Sequence, residues 1–401
     1  MEKLLGSAAR WIARAGSVLA VAGLAACGGG GGGSIAPATG TVRMSMLDAQ
    51  CGYKEVWVNV RQVRIQQSPT ASESEGGWTD INVPNGPKQV NLLALTNGTL
   101  LDLGGATVQA GTYSQLRLVL EDTGNFVRMD DGTTHDLKTP SAQQSGLKIK
   151  ADYTVAPNTT TDYLLDFDAC KSIVVAGNSG QWILKPVVRL TAKFTGAIEG
   201  YVNPAGLDLT KTSVYAELPT GQVERTGVVD STGKFVLPYL ASGTYSVVIS
   251  SDLHQTGVVT SVPVGTTTTT LNAVGSPLVL GTSPMTTVTG TVTHATVVGS
   301  GTTATVDANV TASQSLTSGA TVTIKSTNVV STDASTGTGT YSLSLPTTAP
   351  STVNYSTTLG ALATDAGVGD AYTLTAATPG KSALSQLVHV LVQTVVNFTF
   401  P

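Results

Sequence analysis

The chain has 401 residues, enough for two or three domains that each bury a core of their own. Charged residues make up only 12% and aromatics 5%, against 41% hydrophobic. That composition is too apolar for a disordered chain, and its abundant Thr, Ser, Val and Gly suit strands and tight turns better than helices. A net charge of −4 with no basic block excludes nucleic acid as a partner.

Residues 1–26 have the layout of an export signal, with Lys3, Arg10 and Arg14 ahead of a short apolar run from Ala15 to Leu24. Such a run is too short to span a bilayer, which takes about 20 residues. It ends in Leu24-Ala25-Ala26-Cys27, which resembles the lipobox of bacterial lipoproteins. The resemblance implies diacylation of the Cys27 thiol, cleavage before it, and acylation of the new amine. Palmitate-type chains on Cys27 would make the membrane a partner through a lipid anchor. Residues 27–38 carry the six glycines Gly28 to Gly33 and form a flexible tether of roughly 17 Å mean span. Gly28 stands where inner-membrane lipoproteins carry aspartate, so the resemblance implies the outer membrane, with the leaflet left open.

The first module spans residues 39–195. Strands are expected at Gly40–Ala49, Tyr53–Gln67, Gln115–Leu120, Asn125–Met129, Tyr163–Asp168 and Trp182–Leu190. Asn85-Gly86, Asn97-Gly98 and Asp130-Asp131-Gly132 read as turns. In the second strand Val56, Val58 and Val60 share one parity, and Val63 and Ile65 the other, so a bulge near Arg61-Gln62 is expected to bring both sets to the core. Pro186 places the last strand at an edge or a bulge. Five blocks in order resemble a domain family of bacterial lipoproteins that has no assigned function. They are Leu47-Asp48-Ala49, Ala110 to Leu118, Leu165 to Ala169, Lys171 to Val174 and Leu184 to Arg189. With Cys27 used for lipid, Cys51 and Cys170 remain, and an even pair in an oxidising compartment reads as a disulfide. Neither belongs to a paired-cysteine motif of zinc or redox chemistry.

The second module covers residues 196–275. Gly200-Tyr201-Val202, Val214-Tyr215-Ala216 and the run Asp230 to Val247 resemble the regulatory, transthyretin-like β-sandwich found beside carboxypeptidases, within a carbohydrate-binding-like group of folds. Phe235, Leu237, Leu240 and Tyr245 are its expected core, with turns at Gly233 and Gly243. The third module, residues 286–401, reads as a degenerate repeat. Gly290 answers Gly200, Ala320–Ile324 the next strand, Asp333 to Leu343 the run from Asp230 to Val236, and Ala371 to Leu374 the run from Thr244 to Val247. The fold class is therefore all-β, with tandem immunoglobulin- or transthyretin-like sandwiches after a signal peptide and tether.

Little of this points to chemistry. His135, His254, His294 and His389 are scattered, and no nucleophile, zinc-protease or phosphate-loop motif occurs, so no metal, no cofactor and no catalysis are expected. Asp166 and Asp168 share one face of a strand and are open to an ion site or to pairing with Lys171, Lys185 or Arg189. Trp78, Tyr201, Tyr215 and Tyr239 are the candidates for stacking against a sugar. The leading reading is a non-enzymatic envelope lipoprotein acting by binding or display at the outer membrane or cell surface, with an envelope polysaccharide or protein as partner. The alternative is a dedicated carbohydrate-binding surface protein. A third is a hydrolase, which would need Asp48, Asp166 and Asp168 in one cleft.

Overall fold

The computed structural model describes residues 37–48, 53–139, 146–176, 180–184, 187–294, 308–333, 337–378 and 380–401. The export signal, Cys27, the glycine tether, Cys51, Lys185 and Pro186 lie outside the described residues.

The first module contributes thirteen strands: β1 (Thr39–Asp48), β2 (Glu55–Gln66), β3 (Thr79–Asn82), β4 (Lys88–Asn91), β5 (Leu101–Gln109), β6 (Gly111–Leu120), β7 (Phe126–Arg128), β8 (Thr134–Asp136), β9 (Leu147–Val155), β10 (Thr160–Asp168), β11 (Ile173–Ala176), β12 (Gln181–Leu184) and β13 (Val187–Ala192). One sheet runs β13-β10-β1-β5 and faces another in which β2 lies between β7 and β6. Alternation turns Val42, Met44 and Met46 of β1 toward Val56, Val58 and Val60 of β2, all with no exposed surface. The ladder of β2 with β6 shifts between Val60 and Gln62. This bulge at Arg61 lets Val63 and Ile65 join the same core, also at 0% exposure. The strand expected over 182–190 is instead two: β12 pairs with β11, and β13 crosses to pair with β10. The turns at Asn85-Gly86 and Asn97-Gly98 form at positive φ in both residues, as a tight hairpin turn requires.

The second module holds β14 (Gly196–Tyr201), β15 (Thr212–Glu217), β16 (Val223–Val228), β17 (Lys234–Leu240), β18 (Gly243–Ser251), β19 (Gly257–Val264) and β20 (Thr268–Thr270). The third holds β21 (Met285–His294), β22 (Asn309–Ser315), β23 (Thr321–Asn328), β24 (Val330–Asp333), β25 (Thr338–Pro346), β26 (Ser351–Asn354), β27 (Ala363–Thr364), β28 (Ala371–Ala377), β29 (Leu384–His389) and β30 (Phe398–Phe400). Their pairing repeats. In the second module β14 pairs antiparallel with β17 and parallel with β20, against a facing order β16-β15-β18-β19. In the third β21 pairs antiparallel with β25 and parallel with β30, against a facing order β23-β22-β28-β29.

This order makes β22, not the stretch Ala320–Ile324, the counterpart of β15; Thr321–Asn328 is β23 and answers β16. The expected core side chains Phe235, Leu237, Leu240 and Tyr245 are all buried together. Two glycines in the repeated modules show why the residue is needed. A Cβ at Gly233, which sits at φ +86°, would run into the Val202 carbonyl, and one at Gly290 into the Val396 carbonyl and the Tyr341 ring. The outward positions of the third module's strands are largely Thr and Ser, whose branched or short side chains keep the strand extended without adding apolar surface.

One segment crosses between modules. Strand β26 pairs parallel with β19 and carries β27, extending the second module's sheet to β16-β15-β18-β19-β26-β27. Val353, Tyr355, Leu359 and Leu362 then pack against the second core rather than the third.

Candidate functional site

The cleft grows out of strand alternation in two facing sheets. On β15, Val214 and Ala216 point into the second core, so Ser213, Tyr215 and Glu217 take the outer face. On β22, Val310 and Ala312 point inward, leaving Asn309, Thr311 and Ser313 outside. On β23, Val322 and Ile324 point inward, leaving Thr321, Thr323 and Lys325 outside. The two outer faces meet as a wedge. At its apolar seam Val248 of β18 and Val258 of β19 belong to the third module's core, and Tyr215 packs half-buried against that core. Beyond the seam the faces part around a cleft of about 820 Å³.

Its walls are mostly hydroxyl and amide groups. Thr226 and Gln222 come from the second module, Thr311, Ser313 and Thr375 from the third, and Asp168 of the first module reaches the rim. The third-module wall is held in place by its own hydrogen bonds. Asn309 Oδ1 accepts from Thr311 Oγ1 at 3.0 Å and from Ser326 Oγ at 2.8 Å, and Asn309 Nδ2 donates to the Thr327 carbonyl at 2.9 Å. The charged pair Lys325 and Asp252, at 2.9 Å, bridges the walls. Neutral donors and acceptors on a fixed wall, beside one aromatic ring, form a surface suited to a polyhydroxylated ligand.

Beside the cleft, behind its lining residues Gly221 and Thr323, stands Glu217, with no exposed surface. Its Oε2 accepts the Thr323 N–H at 2.8 Å, and Thr323 Oγ1 donates to the Gly221 carbonyl at 2.8 Å, so both contacts run between the modules. Oε1 is buried without a hydrogen-bond partner among the described residues. Burial pushes this carboxyl from an ordinary 4.5 up to about 9, offset in part by the Thr323 N–H, and it is protonated at neutral pH.

The remaining candidates lie elsewhere. Asp166 forms an ion pair with Arg225 at 2.8 Å and lies 3.5 Å from Arg189, which also meets Glu224 at 3.2 Å. Burial pushes the Asp166 carboxyl up, against the pull of both guanidinium groups. With both arginines on its Oδ2, Asp166 serves the joint between the first and second modules. Asp48 is also structural: its Oδ1 accepts the Ala169 N–H at 2.9 Å. Tyr239 belongs to the same joint, its hydroxyl donating to the Gly98 carbonyl at 3.0 Å and its carbonyl accepting from Arg225. Lys193 stands 5.5 Å from its ring. Trp78 lies beneath the guanidinium groups of Arg117 and Arg64, at 4.7 and 5.1 Å. Cations hold these two rings, which takes them out of the set of stacking platforms. Tyr201 is half-buried on β14, where Asn272 brackets its backbone, and only Tyr215 of the four lines the cleft.

The histidines are dispersed: His135 stacks on Trp182, His254 meets the Asp252 carbonyl, His294 stands edge-on to Phe400, and His389 pairs with Asp370. Among the described residues no group of three His, Cys, Asp or Glu side chains is arranged to hold a metal. Reading the sequence missed Glu217 and Arg225. For Glu217 the one signal was a lone charged residue in a strand of otherwise apolar or hydroxyl side chains, which does not say what covers it; Arg225, next to Glu224, gave none.

Residues 39–186 match a family model described as a domain of unknown function (DUF4382), in agreement with the five sequence blocks. A search of curated proteins finds no match to the chain. Among solved structures, a type II cohesin–X-dockerin complex from Acetivibrio cellulolyticus is 26% identical over 22% of this chain and 58% of its own, with a TM-score of 0.19. The chain thus spans little more than half of that relative. Two B repeat units of the collagen binding protein of Staphylococcus aureus are 12% identical over 90% of this chain and 99% of their own, with a TM-score of 0.17. The Corynebacterium diphtheriae major pilin SpaA is 9% identical over 90% and 99%, with a TM-score of 0.16. At these TM-scores the likenesses carry no argument about function.

Proposed function

We propose that this chain is a non-enzymatic binding and display protein of the cell envelope, anchored at the outer membrane or cell surface through lipid on Cys27. Its ligand site is the cleft between the second and third modules. The observation that carries this reading is the lining: mostly neutral hydroxyl and amide groups, with the Lys325–Asp252 pair, Lys211 and Asp168 among them and the Tyr215 ring beside them. Such a lining favours an envelope polysaccharide over a strongly charged ligand, because each sugar hydroxyl can trade its water for a wall donor or acceptor. The second and third modules are read as transthyretin-like sandwiches of the carboxypeptidase-regulatory kind, supported by their shared pairing order. Fold alone does not confer sugar binding, so the proposal stands on the cleft.

The test is binding of the purified protein to purified neutral envelope polysaccharides. Tyr215→Ala is expected to weaken the interaction about tenfold, roughly 1.4 kcal/mol, while Tyr201→Ala leaves it unchanged. Equal affinity for wild type and Tyr215→Ala would remove the cleft from the account. Loss of palmitate labelling in Cys27→Ala checks the anchor separately.

A further inference from the structure

We infer that Glu217 is a protonation-dependent latch between the second and third modules, and that it sets the width of the cleft. The inference rests on geometry first. Thr323 lies on β23, the outermost strand of the third module's sheet, whose free edge turns toward the second module. There the Thr323 N–H finds no strand partner and donates instead to Glu217 across the joint. The neighbouring Thr321 N–H likewise crosses to the Pro219 carbonyl at 3.2 Å. Thr321 and Thr323 also line the cleft, so whatever holds them against the second module holds one wall.

The latch works only while the carboxyl is neutral. Glu217 is fully buried, and no opposite charge faces it. The charged residues on the elements packed against it are Glu224 and Arg225 on β16 and Lys325 on β23. They pair with Arg189, Asp166 and Asp252 respectively. Strand β18 contributes only Tyr245, which lies in the second core on the opposite face. A carboxylate formed here would keep one N–H donor and leave Oε1 buried without one. Opening the joint exposes the carboxyl to water, where its ordinary acidity returns. Deprotonation therefore favours the open joint, and acid favours the closed one. Because the folded carboxyl titrates near 9 and the exposed one near 4.5, the linkage acts between those limits.

The experiment is amide hydrogen exchange of the whole protein from pH 5 to pH 8, corrected for intrinsic rates, followed in the peptide Thr321–Asn328. In wild type the opening constant of that peptide is expected to rise by up to about tenfold per pH unit. In Glu217→Gln, which keeps an acceptor for Thr323 and cannot ionise, it is expected to stay flat. Matching pH slopes in wild type and Glu217→Gln would overturn the latch. Should Glu217→Gln fail to fold, wild type alone decides, since a slope in Thr321–Asn328 no steeper than in the β21–β25 ladder would also overturn it. A second arm rests on the cleft being the ligand site: affinity for a neutral envelope polysaccharide should change over the same pH range in wild type and not in Glu217→Gln. If exchange responds to pH and affinity does not, the latch stands and the cleft reading falls.

Discussion

Asp166 shows how a residue's role depends on what arrives from outside its own strand. Its parity with Asp168 is written in the sequence, and so is a partner on β13, because Arg189 is its register neighbour there. Arg225 comes from another module, and nothing local announces it. A longer stretch of sequence separates Cys51 from Cys170, yet here the described flanks converge. Asp48 and Phe167 are register partners in a parallel pair, and the Ala169 N–H donates to Asp48. That meeting sets Asp48 beside the one-turn helix Ala169–Ser172; Cys51 and the Cys170 side chain, expected from the sequence to pair, lie outside the described residues. The expected outcome of thiol titration on denatured, unreduced Cys27→Ala protein is no reactive thiol, with two appearing on reduction. Two thiols before reduction would dismiss the bridge. Closing so long a loop should stabilise the first module by about 4 kcal/mol, on the chain-entropy account.

Among the elements, β2 was the most legible. Five branched apolar residues on two parities left only a bulge as a way to bury them all, and the ladder shift at Arg61 is that bulge. Deleting Arg61 should remove the bulge and leave Val63 and Ile65 on the core face beside Val56, Val58 and Val60, because the two parities then coincide. Were the two sets to part instead, exposing Val63 and Ile65 at about 1.5–3 kcal/mol for each side chain would cost several kcal/mol. A urea midpoint lowered by that much on deletion would show that Arg61 is not the inserted residue. Strand β22 was the least legible. Its sequence Asn309–Ser315 alternates polar residues with two small or branched apolar ones, Val310 and Ala312, a pattern too weak to separate from loop. The break between β12 and β13 was hidden for another reason. The apolar pattern continues through it, and only the change of partner from β11 to β10 ends one strand and begins the next.

At the scale of the whole molecule, the modules do not behave as beads. Strands β26 and β27 leave the third module to complete the second module's sheet, and Val258 of the second module lies in the third core. A fragment ending at residue 284 should therefore expose the surface that Val353, Tyr355, Leu359 and Leu362 cover. It is expected to melt roughly 10 °C below the intact chain and to bind a hydrophobic dye, whereas independent modules would melt unchanged. What the sequence by itself determined was the all-β class, the bulged strand, the turns and the repeated layout, because these follow from side-chain parity and backbone preference within a few residues. The cleft, the buried Glu217 and the Asp166–Arg225 joint were decided only by tertiary structure. An outward-facing polar side chain reads the same whether water or another module covers it, and burial, which sets its ionisation and its partners, is a property of the neighbour.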